Sequence, residues 1–402
     1  MSFRAEDPED DGPADRPPGA APPPGHAPPP GHDPAAFAPP GWAATFAAVP
    51  RAAFVPDSVW AWDEVRRHSA LVERGVDEAG WWAAVGADVP LVTQWDGGAR
   101  TGGGPAPVAT SSCSQPSTVA AMLAALDVRP GMRVFEGGTG TGWNSGLLAH
   151  RVGPAGRVVS AELDPAVAAE ARRALARAGL AATVVTGDAG RGWAAGAPYD
   201  RMVATYGVRA VPEPWLRQAA AGAVLVLPFG TGYGHRDAVL RLVVRADGGA
   251  QGRFVRLVEF MKDRRDRPAF PLHTDYAREF PGGPERTARH PEDLGGPWDV
   301  RSFYLGLAVP GVAHVLHRQD DGTVTAWFYG LADRSWSAVV WRNGVATVHG
   351  AGPRRLWAAV DRALGWWEEN GRPGIGRFGL TVADGRHRPW LDAPDRPVPQ
   401  QL

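Results

Sequence analysis

Residues 133–142 read Arg-Val-Phe-Glu-Gly-Gly-Thr-Gly-Thr-Gly, an acid and three regularly spaced glycines where a short apolar strand should end. Gly138, Gly140 and Gly142 make a G-x-G-x-G turn, with the carboxylate of Glu136 just ahead of it. Glycines at such a point let the chain turn tightly and let a ligand come closer than a Cβ would permit. Two further acids, Glu162 and Asp188, stand at the ends of later apolar runs. A carboxylate at a strand end can accept charge-assisted hydrogen bonds from a diol or an amino group, which offset the cost of desolvating it. A dinucleotide phosphate loop is the rival reading. Its spacing is G-x-G-x-x-G, however, and here the acid precedes the glycines.

The elements that must hold these residues follow from the apolar pattern. Helix 118–126 leads to strand 133–136 and helix 143–151; strand 157–162 leads to helix 165–178 and strand 182–186. Strand 199–205, helix 213–220 and strand 223–228 complete the alternation. Strands alternating with helices imply an α/β unit with a parallel sheet and right-handed crossovers. In such a sheet ligands bind at the carboxyl ends of the strands, where Glu136, Glu162 and Asp188 all fall. Runs 237–244 and 253–260 flank Asp247-Gly248-Gly249 and read as an added antiparallel hairpin. Ahead of the alternation, residues 44–49 read as a helix, 90–93 as a short strand and 97–107 as a Gly-rich loop.

The flanks differ in character. Residues 1–40 are rich in Pro, Ala and Gly, with Pro-Pro-Pro-Gly-His twice, and are expected to be a disordered tail because they offer few apolar side chains to offset ordering. Residues 41–262 form the α/β unit, 263–297 a linker or surface excursion, and 298–402 a C-terminal α+β extension. Strands are expected there at 302–309, 324–329, 337–341, 377–381 and 388–390, with a helix at 354–369. Its aromatics, Trp327, Phe328, Trp341 and Trp357 among them, read as core. Coming after a complete α/β unit, the extension is not needed to close the sheet; it reads either as a peptide-recognition unit or as a layer that buries an apolar face of the sheet.

A net charge of −1 disfavours a general nucleic-acid or membrane-surface role. Cys113 is the only cysteine, so no intrachain disulfide and no cysteine metal site is expected, and no metal is assigned. No signal peptide or spanning segment is recognised, which leads to the expectation of a cytosolic protein. Lys262 is the only lysine.

Glu162 is placed for a ribose diol and Asp188 for an adenine amino group, while Glu136 can order the glycine loop or meet a cation. Three acids without a sequence-adjacent Lys or Arg suit a cofactor carrying a sulfonium, an amino group and a ribose but no phosphate, and S-adenosylmethionine is such a molecule.

Over roughly residues 40–262 the chain resembles the protein-L-isoaspartate O-methyltransferases. The resemblance rests on Ala48-Val49-Pro50-Arg51 with Phe54-Val55-Pro56 and on Thr110-Ser111-Ser112-Cys113-Ser114-Gln115-Pro116. It also rests on Gly187-Asp188-Ala189-Gly190-Arg191-Gly192-Trp193 and Ala197-Pro198-Tyr199-Asp200. It implies a Rossmann-like class I S-adenosylmethionine-dependent methyltransferase fold. It makes Ser114 the active-site serine with Ser112 beside it, and gives Gly138, Thr139, Gly140, Glu162 and Asp188 to the cofactor, to which the glycine motif adds Glu136 and Gly142. The substrate implied is a peptide or protein bearing Asp or isoaspartate.

Such chemistry needs no general base, because a carboxylate with a pKa near ~4 is already ionised at neutral pH. It needs alignment, which the Ser114 hydroxyl and the amides of the following helix would supply. Ser112 and Ser114 could also simply cap that helix, and Cys113 reads as a small buried residue. Four features depart from the compact repair enzyme: Ser117-Thr118 after the serine motif, Tyr206-Gly207 after the fourth strand, the long Gly-rich loop, and the C-terminal extension. They resemble the branch associated with lanthipeptide and graspetide maturation, in which a specific Asp is esterified and then converted to aspartimide or isoaspartate. General isoaspartyl repair and a non-catalytic cofactor-binding scaffold remain the alternatives.

Overall fold

The computed structural model describes residues 32–33, 35–63, 68–99, 108–265, 273–277 and 284–401. Most of the segment expected to be disordered, 1–31 and 34, lies outside these residues, as do 100–107 of the Gly-rich loop. Part of that expected tail, residues 32–33 and 35–40, is among the described residues. Residues 35–37 form a turn, and Ala35 and Ala38 pack against the core.

The N-terminal part comprises α1 (Ala43–Ala48), β1 (Ser58–Asp63), β2 (His68–Glu73), α2 (Glu78–Gly86), β3 (Leu91–Trp95) and β4 (Ala109–Cys113). Its strands form an antiparallel sheet in the order β2-β1-β3-β4. The sequence anticipates only β3 of these four. The last strand carries Ser112 and delivers the chain to Ser114.

Next come α3 (Pro116–Leu126), β5 (Arg133–Gly137), α4 (Trp143–Val152), β6 (Arg157–Glu162), α5 (Pro165–Arg177), β7 (Thr183–Thr186) and β8 (Tyr199–Ala204). They are followed by α6 (Glu213–Gln218), β9 (Ala219–Gly230), β10 (Asp237–Val244) and β11 (Ala250–Val258). Strands β5 to β9 are parallel in the order β7-β6-β5-β8-β9, so the strand order reverses between β5 and β8. Local sequence explains α5. Asp164 accepts from Ala166 N at 2.9 Å and Val167 N at 3.2 Å, Pro165 starts the helix, and Ala168, Ala171, Ala174 and Leu175 form its buried stripe.

The remaining elements are β12 (Glu285–Arg286), α7 (Val300–Ala308), β13 (Val312–Arg318), β14 (Val324–Gly330), β15 (Trp336–Arg342), β16 (Val345–Ala351), α8 (Leu356–Glu369), β17 (Phe378–Ala383) and β18 (Arg386–Leu391). Strands β12 to β16 form an antiparallel sheet of their own, whereas β17 and β18 add to the central sheet beyond β11. The stretch expected as a strand at 302–309 lies largely within the helix α7. All six residues from Phe303 to Ala308 are buried, and the polar residues that mark the helix, its cap Asp299 and Arg301, stand ahead of the apolar run from which the strand is read.

Side chains alternate across the central sheet with the period of two that strands impose. Val134, Val226 and Val239 face the N-terminal helices, while Phe135, Leu225 and Leu240 face the other way. That second face is covered mainly by the C-terminal part. Phe303, Tyr304, Trp357 and Leu364 share one core with Phe135, Trp215 and Phe254. The extension has the covering role that the sequence leaves open for it: it covers a sheet face, pairs β17 with β11, and ties His387 Nε2 to the Val211 amide at 2.9 Å. Residues 263–297 are not merely a linker, since Glu285 and Arg286 pair with β16 and the Arg289 carbonyl accepts from Trp341 Nε1 at 2.7 Å.

Candidate active site

A cleft of about 940 Å³, counted out to open solvent, lies at the carboxyl ends of β5 to β8. Ser112, Ser114, Gly138, Thr139, Gly140, Glu162 and Asp188 all line it. Gly138 (φ 88°) and Gly140 (φ 55°) adopt backbone that disfavours L side chains, and a Cβ on Gly140 would stand 3.2 Å from the Ser112 carbonyl. The glycine turn thus lies against the carbonyl of Ser112, an approach that a side chain at Gly140 would crowd. Glu162 accepts from Gly140 N at 3.0 Å and from Asp164 N at 3.1 Å, which fixes its carboxylate at the rim. Asp188 accepts from Gly190 N at 2.8 Å.

Two residues assigned to the cofactor do not line this cleft. Glu136 is fully buried and accepts from Asn144 Nδ2 at 2.7 Å, Ser160 Oγ at 2.6 Å and Ser145 Oγ. Burial pushes its pKa up, and those three donors work against that. It braces the glycine turn from below, joining β5 to β6 and the first turn of α4. Gly142 precedes α4 with φ 88°, and a Cβ there would meet Ala171 at 3.4 Å; its role is to turn the chain and pack α4 near α5.

Arg51 organises the serine loop. This buried guanidinium donates to the carbonyls of Val85, Ala87, Val89, Cys113 and Ser114 at 2.8–3.2 Å. A charged donor satisfied by five carbonyls is an effective clamp, because removing it would orphan several buried acceptors together. The start of α3 is capped by Asp88, which accepts from Ser117 N at 2.8 Å and Gln115 Nε2 at 3.1 Å. Burial tends to raise the Asp88 pKa, but these bonds and the Arg51 charge bring it below the usual carboxylate range. Two expectations change accordingly. Neither serine caps α3, and the first helical amides are not open to a ligand, since Pro116 has none and that of Ser117 belongs to Asp88. Cys113 is buried.

Sequence adjacency also concealed the cations. Lys262 and Arg264 line the cleft, and Arg265 reaches Asp188. Each is matched by a carboxylate. Lys262 Nζ contacts Asp237 Oδ2 at 2.5 Å, Arg264 stands 3.9 Å from Asp164, and Arg265 bonds Asp263 and Asp188. Asp237 is buried, which raises its pKa against the pull of Lys262. Only the fold brings these charges together. Among the described residues no group of three or more His, Cys, Asp or Glu side chains could hold a metal, and no helix is long and apolar enough to cross a membrane.

At Ser112, Ser114, Met261 and Lys262 the cleft meets a second, wider groove of about 2270 Å³ on the same measure. The C-terminal part supplies Trp298, Ala313, His314 and Leu331 to its walls. Trp298 is 57% exposed, with the Arg236 guanidinium 4.3 Å from its ring. His314 stacks on Tyr233 at 4.9 Å, and burial lowers its pKa to about 4.

The family model described as protein-L-isoaspartate(D-aspartate) O-methyltransferase matches residues 104–262. The chain is similar to the protein-L-isoaspartate O-methyltransferase of Pyrococcus horikoshii, 38% identical over 146 residues, or 36% of this chain and 65% of that protein, slightly under two thirds of its length. With the Methylorubrum populi protein of the same name the identity is 37% over 178 residues, covering 44% of this chain and 82% of the relative. A solved protein-L-isoaspartate O-methyltransferase aligns with 86% of this chain and 92% of its own at 22% identity, with a TM-score of 0.48. With most of the Methylorubrum relative matched at this identity, the chain belongs to the protein-L-isoaspartate O-methyltransferase family.

Proposed function

We propose that this protein transfers a methyl group from S-adenosylmethionine to an aspartyl or isoaspartyl carboxylate of a peptide or protein. The observation that carries this reading is the junction of the two clefts. The acid-lined cleft and the wider groove share Ser112 and Ser114, so a group bound on one side faces a chain bound on the other.

The cleft suits the cofactor. Glu162, aimed by two backbone amides, can accept from a ribose diol, and Asp188 from the adenine amino group. The Lys262, Arg264 and Arg265 charges are already matched by carboxylates, which leaves little to attract a phosphate. When bound, the cofactor supplies an electrophilic methyl group on a sulfonium. The chain's task is then alignment. Ser114 would donate to one oxygen of the ionised carboxylate and leave the other facing the methyl at about 3–3.5 Å. The Ser114 carbonyl held by Arg51 fixes the backbone from which the hydroxyl projects.

The finer reading is tailoring of a ribosomal peptide, the methyl ester giving way to an aspartimide and then isoaspartate. Its support is the groove, whose walls include residues of the C-terminal part. General isoaspartyl repair is the second reading, supported by the names of the relatives. Methyl-labelled cofactor should give a base-labile ester, releasing methanol, on a peptide carboxylate. A short isoaspartyl peptide turned over as well as any longer one would favour repair, and poor use of it would favour a dedicated substrate. A base-stable product would defeat both.

A further inference from the structure

Residues 261–265 leave β11 and cross the carboxyl end of the central sheet. Gly207 N donates to the Met261 carbonyl at 2.8 Å and Asp263 N to the Gly207 carbonyl at 2.8 Å, so this strap is pinned beside the end of β8. At its far end Arg265 makes a fork onto Asp263, with Nε to Oδ1 at 3.1 Å and Nη2 to Oδ2 at 2.6 Å. Its remaining nitrogen, Nη1, donates to Asp188 Oδ2 at 3.0 Å. The other Asp188 oxygen is held by Gly190 N. Both oxygens are therefore oriented, and each keeps a lone pair for a further donor. The guanidinium lies against the bare Cα of Gly190, where a Cβ would stand 2.3 Å from Nη2.

We propose that Arg265 is a positioning residue for the cofactor: it aims Asp188 at the 6-amino group of adenine and closes that end of the cleft with the strap. The inference rests on the assignment of S-adenosylmethionine to this cleft. Without Arg265, Asp188 would keep one backbone amide and a long contact of 3.8 Å to Arg191, itself 85% exposed, with its own side chain 29% exposed to competing water. The fork onto Asp263, itself anchored through Gly207, makes Arg265 a fixed donor and spares the entropy of ordering a long side chain when ligand arrives.

The test is calorimetric binding of S-adenosylhomocysteine and of S-inosylhomocysteine, in which a 6-oxo group replaces the 6-amino group. Arg265→Ala should weaken S-adenosylhomocysteine about 5-fold, with Arg265→Lys recovering part of the loss. Gly190→Ala should reproduce the effect by displacing the guanidinium, and the double variant should be no weaker than either alone. With S-inosylhomocysteine, which offers Asp188 no amino group, Arg265→Ala should change affinity less than 2-fold. Equal losses for the two ligands, or no loss for S-adenosylhomocysteine, would overturn the inference alone. Failure of the unsubstituted protein to bind S-adenosylhomocysteine would remove the cofactor assignment and this inference with it.

Discussion

Nearly all of the acid-lined cleft comes from one stretch of chain, from Thr110 through the glycine turn to Tyr206, and only the strap reaches it from elsewhere. The groove beyond Ser114 is assembled from β3 and the serine loop, the turn around Tyr233, the end of β11, and three separate points of the C-terminal part. The first region is a property of one α/β unit. The second exists only where that unit meets its extension. Chemistry can thus be inherited with the unit, while selectivity changes wherever the extension changes.

The largest effect is expected on removing residues 270–402. The truncation exposes Leu225, Leu240 and Phe254 and unpairs β11. Each such side chain contributes about 1.5–3 kcal/mol by burial, so losing several consumes a stability of about 5–15 kcal/mol. The truncated chain should be insoluble or molten by circular dichroism. A soluble, cofactor-binding product would show the two regions to be separable after all.

Within the cleft, Glu162→Ala should weaken S-adenosylhomocysteine by roughly 10- to 150-fold in calorimetry, since a charge-assisted bond is worth about 1.5–3 kcal/mol. Unchanged affinity would detach that acid from the cofactor.

The groove can be probed through His314. Its folded pKa, about 4, lies below the ordinary 6.5, so the folded state binds fewer protons than the unfolded one. Stability contributed by the neutral ring is intact above pH 6.5 and falls as pH drops toward 4, by on the order of 1 kcal/mol per pH unit. His314→Phe should flatten that slope in denaturant titrations across pH 4–6.5. An unaltered slope would place the titration elsewhere.

The smallest effect is expected at the rim. Trp298→Ala should raise KM for a long peptide about 5-fold, near 1 kcal/mol, with S-adenosylhomocysteine affinity unchanged. A change in cofactor binding would mean that the groove and the cleft are not energetically distinct.

How much of this was legible follows the same division. The glycine turn, Glu162 and Asp188 could be placed because strand ends and turn glycines are local features, readable from apolar runs and spacing. For Glu136 the sequence offers two roles, ordering the glycine loop or meeting a cation, and cannot choose between them: it gives the position at the strand end but not the direction of the side chain, which points into a nest of Ser and Asn donors. Lys262 and Arg265 were invisible as cleft residues because the strap returns to the site only through its pairing with Gly207. The helix α7 reads as a strand when only its apolar run is considered, because the polar residues that mark it, Asp299 and Arg301, lie ahead of that run. The hairpin β17–β18 was recognised as strands, but nothing in its sequence could say which sheet it would join.

Ser114 is a point where the two regions meet. The decisive measurement is base-labile methyl transfer to a peptide by the unsubstituted protein and by Ser114→Ala, with S-adenosylhomocysteine affinity determined on the same preparations. Loss of one positioning bond of about 1.4 kcal/mol should lower turnover roughly 10-fold or more, while cofactor affinity stays within 2-fold. Equal turnover in the two proteins, or loss of cofactor binding in step with turnover, would contradict the assignment of Ser114 to the junction.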